Sequence, residues 1–302
     1  MEPSALPVLS AASPKRKARS KPNVARPTKK PGTDLDYVLG HSQREIRRLS
    51  SQAAILRPIT ARLLLNVTLR RGMRVLDLGC GAGDVSMLAA ELVGAAGSVV
   101  GIDRSSEVLA VATERARAAG LRQIHFEQAS VETFSSDETF DLVIGRYILI
   151  HQVDPIGFLR AAARLVTPGG AIAFHEIRLQ QKFDSSPYVP LWQLAGNLFQ
   201  TACQSALPNY DVSDRLIECF SEAGLPQAHL FCEGILGGGL DSPLYAWLSE
   251  TLHSFLPQLA KIGIKLNELI GMATLESNLR AAVVEARSQI VAPAQICAWA
   301  RT

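Results

Sequence analysis

The sequence predicts an α/β protein built on a mostly parallel sheet with helices on both faces. From residue 72 onward, short apolar runs alternate with amphipathic stretches of about 10–15 residues. Gly94 and Gly120 follow two of these stretches, where a helix is expected to end. The apolar runs are nearly continuous, which is typical of strands that are buried on both faces.

The predicted elements follow one another in a regular order. Strands are expected at 73–78, 98–103, 124–129, 140–148 and 171–177, and helices at 84–94, 105–120 and 155–170. Because parallel strands need long crossover connections, this alternation predicts βαβ units.

The segments that flank this core have different patterns. Residues 41–69 are predicted to form one or two helices, with a break at Pro58, because proline removes a backbone donor. Residues 187–206 and 243–262 also have helical patterns. Two late strands, 229–237 and 295–301, are expected to pair at one edge, with helices of 243–290 inserted between them.

These patterns divide the chain into four parts. They are a basic tail (1–33), an N-terminal helical lid (34–70), the core (71–178), and a helical substrate cap with the last strands of the sheet (179–302). The cap contains four aromatic residues with two interpretations, since they could stack on an aromatic substrate or pack as core. They are Tyr188, Trp192, Tyr245 and Trp247.

The composition is that of a soluble protein with a sizeable core. The chain has 302 residues, of which 47% are hydrophobic and 20% charged. It contains no run of about 18 apolar residues, so we expect no membrane partner, and its start does not have the pattern of a secretory signal. Its five cysteines have no CxxC spacing, which favours reduced thiols in the cytoplasm and no metal site.

The net charge of +3 is unevenly distributed. Residues 1–33 carry +7, so the remainder of the chain carries −4. The tail is rich in Pro, Lys, Ala and Ser and is expected to be a disordered, solvated extension. Its PKRKARSK segment has two alternative roles, nuclear import or binding to nucleic acid or an anionic surface. The acidic body argues against a nucleic-acid partner.

The strongest functional signal is VLDLGCGAGD at 75–84, where Gly79, Gly81 and Gly83 follow a strand and precede a helix. Glycines allow a sharp turn and a close approach of the backbone to a ligand, although a plain tight turn would also use them. Asp103 ends the next strand, where a carboxylate can accept hydrogen bonds from both hydroxyls of a ribose.

The glycine spacing differs from the GxGxxG of dinucleotide sites, which place a pyrophosphate at a helix N-terminus. Asp77 and Asp84 flank the glycines, and two carboxylates would repel phosphates. The loop therefore favours a ligand with an ammonium and a sulfonium group over the nicotinamide dinucleotide of a hydride-transfer enzyme.

Five segments in this order resemble the class I S-adenosylmethionine-dependent methyltransferases. They are VLDLGCGAGD, VVGIDRS at 99–105, FEQAS at 126–130, FDLVIGRYILIHQVDP at 140–155 and LVTPGG at 165–170. The resemblance implies a Rossmann-like sheet of seven strands, the last antiparallel, and S-adenosyl-L-methionine as cofactor.

The resemblance also implies roles for individual residues. Gly79, Cys80 and Gly81 would line the methionine part of the cofactor, and Asp77 would support the loop or the amino group. Asp103 would bind the ribose. Arg104, Ser130 and Val131 would lie at the adenine, with Ser130 at a position where the family often has Asp.

Two further groups follow from the same resemblance. Arg146 and Tyr147 would lie near the transferred methyl group. Tyr37, Arg48 and Gln52, in a segment similar to the lid of small-molecule and quinone enzymes, would close over the cofactor, or they are ordinary helix residues.

The predicted reaction is methyl transfer to a small organic acceptor by in-line displacement. A hydroxyl acceptor needs a general base, for which His151 is the candidate; His175 and Glu176 are alternatives. The alternative functions are an RNA- or protein-directed methyltransferase that binds through its basic tail, and a non-catalytic regulatory protein that binds the cofactor. The sequence leaves open the acceptor, the methylated atom and the oligomeric state.

Overall fold

The computed structural model describes residues 43–302, and this part of the chain contains one sheet of eight strands. The strands are β1 (Arg74–Leu78), β2 (Ser98–Asp103), β3 (Ile124–Gln128), β4 (Phe140–Arg146), β5 (Val166–Ile177), β6 (Asp184–Ser186), β7 (His229–Gly237) and β8 (Gln289–Arg301). The first five are parallel, in the order β3-β2-β1-β4-β5. The predicted α/β class is confirmed.

The long strand β8 organises the far side of the sheet. It runs antiparallel to β5, and β7 pairs with it antiparallel as well, so β7 has the direction of β5. The late edge pair with inserted helices is thus confirmed. The predicted count of seven strands was one too low, because β8 contacts β5 only through residues 295–301 and its first residues pair with the short β6.

Ten α-helices are present between residues 43 and 302. They are α1 (Gln43–Asn66), α2 (Asp84–Val93), α3 (Ser106–Ala118), α4 (Pro155–Ala163), α5 (Pro190–Ala206), α6 (Leu216–Glu222), α7 (Leu244–Ser254), α8 (Leu256–Lys261), α9 (Leu266–Ile270) and α10 (Leu275–Glu285). Side chains mark two of the starts: Ser105 accepts from the N–H of Val108 at α3, and Asp154 from that of Gly157 at α4. None of these helices combines the length and hydropathy needed to span a membrane.

Two predicted boundaries were wrong. Helix α1 continues through Pro58, because burial of residues on either side, such as Leu56 and Leu63, offsets the hydrogen bond that proline removes. Helix α4 ends at Ala163 instead of residue 170, and β5 already begins at Val166. The Pro-Gly-Gly segment forms an irregularity within β5, with Gly169 in the left-handed region.

The sheet and the cap share one hydrophobic core. Its larger cluster extends from strand residues such as Leu76 and Phe174 to cap residues such as Trp192, Leu248 and Leu279. A smaller cluster packs α1 and α2 against the other face of the sheet. The continuous core means that the cap helices are fixed relative to the carboxyl ends of the strands.

Candidate active site

The turn between β1 and α2 passes through three glycines in the left-handed region, with φ of +66° at Gly79, +53° at Gly81 and +82° at Gly83. The left-handed backbone at Gly79 favours glycine, and a Cβ there would lie 2.5 Å from Cδ1 of Ile148, whose side chain would have to shift. A Cβ on Gly81 would meet nothing within 4 Å. The backbone at Gly81 therefore borders open space that a ligand can occupy.

The carboxylate of Asp103 is fixed beside this turn. Its Oδ2 accepts the N–H of Gly81 at 3.0 Å, and its Oδ1 accepts the N–H of Ser105 at 3.0 Å. A carboxylate offers about four acceptor positions, so two remain. Two acceptor positions on one rigid carboxylate fit the adjacent hydroxyls of a ribose. The bond from Gly81 to Asp103 also joins the glycine turn to the end of β2.

The two acids that flank the glycines do not act as a pair of ligand-facing charges. Asp77 is buried and accepts a 2.6 Å hydrogen bond from Ser86, and its burial raises its pKa to about 6. Asp84 forms an ion pair with Arg115 at 2.7 Å, and Arg115 also donates to the carbonyl of Ala82. Neither acid points its carboxylate at the open side of the turn alone, because Asp77 is buried on Ser86 and Asp84 is ion-paired with Arg115. Both acids hold the loop.

The predicted adenine-binding residues lie at the ends of β2 and β3. Arg104 follows Asp103 with an exposed side chain, 3.8 Å from Glu132. Ser130 and Thr133 form a short turn through a 3.0 Å hydrogen bond from the N–H of Ser130, and Val131 is buried. The N–H of Ala129 donates to the carbonyl of Asp103, which joins this turn to the ribose position. Their contact with adenine stays a prediction.

The segment after β4 is held by a buried carboxyl group. The N–H groups of Ile148 and Leu149 both donate to Oε1 of Glu176, at 3.1 and 2.9 Å. The other oxygen, Oε2, is buried and has no hydrogen-bond partner among the described residues. Burial raises the pKa of Glu176 to about 8, so the group is protonated at neutral pH. Glu176 is thus suited to hold this segment and not to act as a base.

Tyr147 is the residue in this segment with a strained backbone, at φ +55°. Its hydroxyl donates to Oε1 of Gln295 at 2.6 Å, and its ring makes an edge contact with His175 at a centroid distance of 5.8 Å. Nε2 of His175 lies 3.1 Å from the same oxygen, and Nδ1 lies 3.0 Å from the hydroxyl of Thr60. Burial lowers the pKa of His175 to about 3, so the ring is neutral.

Thr60 and Gln295 were not predicted as site residues from the sequence. Gln295 is a buried amide in an otherwise apolar stretch of β8, which was a readable signal. Thr60 is a buried hydroxyl in an amphipathic helix, a pattern that many helices show.

His151, the predicted base, ends a short 3₁₀ turn at Leu149–His151 and is half-buried. Burial lowers its pKa to about 4, so the ring is neutral and can accept a hydrogen bond. Its basicity is below the optimum for a general base at neutral pH. Its catalytic role stays a prediction.

The predicted lid residues have different outcomes. Tyr37 lies outside the described residues. Oε1 of Gln52 accepts from Arg48 at 2.9 Å and from the indole N–H of Trp247 at 3.2 Å. Arg48 also donates to the hydroxyl of Thr251. These two residues therefore connect α1 to α7, and their contact with a cofactor is not tested by this geometry.

Three of the four cap aromatics pack as core residues, which was the second of their two interpretations. Trp192, Tyr245 and Trp247 are buried, while Tyr188 is 61% exposed. Trp247 stacks on Phe183 at a centroid distance of 6.2 Å, and the indole of Trp192 donates to a backbone carbonyl. These side chains form the core of the cap.

Comparison with known proteins is consistent with this geometry. Residues 69–214 match the family described as a methyltransferase domain. An arsenite methyltransferase from Aquipseudomonas alcaligenes is 36% identical over 114 residues, which cover 35% of this chain and 33% of the relative. A 2-phytyl-1,4-naphtoquinone methyltransferase from Synechococcus elongatus is 31% identical over 160 residues, which cover 50% of this chain and 66% of the relative.

A solved structure shows the same fold over a larger part of the chain. It is a proposed methyltransferase from Bacillus halodurans C-125, with a TM-score of 0.52 and 21% identity, covering 80% of this chain and 97% of that chain. The chain spans about half the length of the first curated relatives that it matches. Residues 69–214 are thus similar to the methyltransferase domains of S-adenosylmethionine-dependent enzymes, whose cofactor is S-adenosyl-L-methionine.

Proposed function

We propose that the protein transfers a methyl group from S-adenosyl-L-methionine to a small organic acceptor. The observation that carries this proposal is the joint geometry of Asp103 and Gly81. A carboxylate at the end of β2 keeps two acceptor positions, and the glycine that it binds borders open space. This arrangement fits a ribose and the chain attached to it.

The cofactor, when bound, supplies an electrophilic methyl group on a sulfonium. The residues of this chain provide binding and alignment. Asp103 orients the ribose, Ser130 and Val131 border the adenine, and the glycine turn borders the methionine part. Because in-line displacement depends on the alignment of three atoms, the rigid hydrogen bonds of this turn contribute to the rate.

A small acceptor is supported by the cap and by the relatives. Helices α5 to α10 share the core of the sheet and lie in the part of the chain after β5, where they can enclose a compact molecule. The relatives are named for arsenite and for a naphthoquinone. Outside its basic first 33 residues the chain carries −4, which disfavours a nucleic-acid acceptor. His151 is proposed as the base for a hydroxyl acceptor.

Calorimetry with S-adenosylhomocysteine, the demethylated cofactor, tests the binding step. Asp103→Ala should weaken binding by about 10- to 100-fold, because it removes charge-assisted hydrogen bonds to the ribose. Glu132→Gln, an exposed change near the same turn, is the control and should leave the affinity unchanged. Equal affinity of the Asp103 variant and the wild type would contradict the assignment.

Incubation of the protein with methyl-labelled cofactor and a cell extract tests the reaction. The label should appear in a small-molecule fraction. Label found only in RNA or protein would show that the acceptor class is wrong.

A further inference from the structure

Arg146 brings a positive charge to the glycine turn. It ends β4 and is half-buried. Burial lowers its pKa, while the nearby charges of Asp84 and Asp77, at the two ends of the turn, oppose that shift. The pairing of Leu78 with Gly145 places Arg146 beside the start of the turn. Because a guanidinium stays protonated in proteins, a permanent cation lies next to the glycine loop.

Arg146 lies at the end of a chain of hydrogen bonds that starts at Gln295. Its Nε2 donates to the carbonyl of Pro293 at 3.0 Å, so its Oε1 is the acceptor. This oxygen lies 3.1 Å from Nε2 of His175, so the neutral ring carries its proton on Nε2. Nδ1 of His175 is therefore an acceptor.

Because Nδ1 of His175 is an acceptor, the hydrogen bond between His175 and Thr60 is donated by the Thr60 hydroxyl. The hydroxyl of Thr60 lies 3.0 Å from Nδ1 of His175 and 3.2 Å from the carbonyl of Leu56, and it has one proton to donate. With this proton on the bond to His175, the oxygen of Thr60 accepts from Nη1 of Arg146 at 3.3 Å. The bond from Nη1 to Thr60, which itself contacts His175 of β5, restricts the direction of the guanidinium from the side of α1.

A fixed guanidinium discriminates between the charged groups of the cofactor. The cofactor carries a sulfonium and an ammonium, which the guanidinium repels, and one carboxylate, which a guanidinium can bind through two parallel hydrogen bonds. Resting on the proposed function, we propose that Arg146 binds the carboxylate of the methionine part of the cofactor and that Thr60 is the positioning residue that orients it. This revises the expectation that Arg146 lies beside the transferred methyl group, where it would face the sulfonium.

Two ligands that differ in the carboxylate alone test this proposal in calorimetry with the full-length protein. They are S-adenosylhomocysteine and its decarboxylated analogue, which keeps the ammonium group. Arg146→Gln should lower the affinity for S-adenosylhomocysteine by about 10- to 100-fold and change the affinity for the decarboxylated analogue by less than about 3-fold. Arg117→Gln, on the exposed face of α3, is the matched control and should change neither affinity.

Thr60→Val tests the positioning role with nearly the same side-chain volume. This variant should lower the affinity for S-adenosylhomocysteine by about 3- to 10-fold without a matching loss of affinity for the decarboxylated analogue. A loss of the same factor for both ligands in Arg146→Gln, or no loss for either, would overturn the carboxylate assignment while the proposed function stands. If the wild-type protein binds neither ligand, the proposed function itself fails.

Discussion

Glu176 gives a prediction about stability that can be worked out in sign and size. The carboxyl group ionises near pH 4.5 in an ordinary setting, and burial raises its pKa to about 8 in the folded protein. Between these pH values the unfolded chain has lost the proton and the folded chain retains it. The free energy of unfolding therefore falls as pH rises, and in this interval Glu176 lowers it by about 1.4 kcal/mol for each pH unit.

Glu176→Gln removes this dependence and keeps an oxygen for the N–H groups of Ile148 and Leu149. From pH 5.5 to 7.5 the variant should gain about 3 kcal/mol of stability relative to the wild type. Below pH 4.5 the difference between the two proteins should become constant, because the carboxyl group is protonated in both states.

Urea unfolding at a series of pH values measures this difference. Glu222→Gln, an exposed change on α6, is the matched control and should give a difference that does not vary with pH. A flat difference for Glu176→Gln across the same range would refute the reasoning, since the folded and unfolded carboxyl groups would then titrate alike.

The glycine turn and His151 give two further predictions. Gly79→Ala should destabilise the protein by about 1–3 kcal/mol, because the new methyl group overlaps Ile148 and the backbone is left-handed. Gly81→Ala has only the backbone penalty, so this variant should lose less stability than Gly79→Ala in thermal unfolding. It should nevertheless bind S-adenosylhomocysteine more weakly, because the methyl group enters the open space. An equal loss of stability in the two variants would contradict the role of the Ile148 contact. His151→Gln should lower kcat for a hydroxyl acceptor by about 10²–10⁴-fold with little change in the affinity for S-adenosylhomocysteine, and an unchanged kcat in a steady-state assay would remove His151 as the base.

The parts of the fold that were predictable depend on local patterns. Short apolar runs located β1 to β4 and the second half of β5, and the glycines at 79, 81 and 83 marked the turn at the candidate site through their spacing. The position of Asp103 followed from the same strand order, because the ends of β1 and β2 meet at one edge of the sheet.

The parts that were not predictable depend on tertiary packing. Thr60, His175 and Gln295 are separated by more than 100 residues from one another. The packing of α1 against the sheet and the pairing of β5 with β8 bring them together. The burial of Trp247 depends on Phe183, which no local pattern connects to it. Pro58 was expected to break α1, and only the packing on both sides shows why it does not.

The thirteen residues of β8 have a consequence for how the molecule reaches its native state. They form hydrogen-bonded pairs with β5, β6 and β7, segments that precede them by about 50 to 130 positions. During synthesis a ribosome must therefore release nearly everything up to residue 301 before the sheet can close, and β7 stays without its neighbour until then. Such distant pairing makes folding slow and exposes an unpaired edge to other nascent chains, so this protein is expected to benefit from chaperones when it is produced at high level.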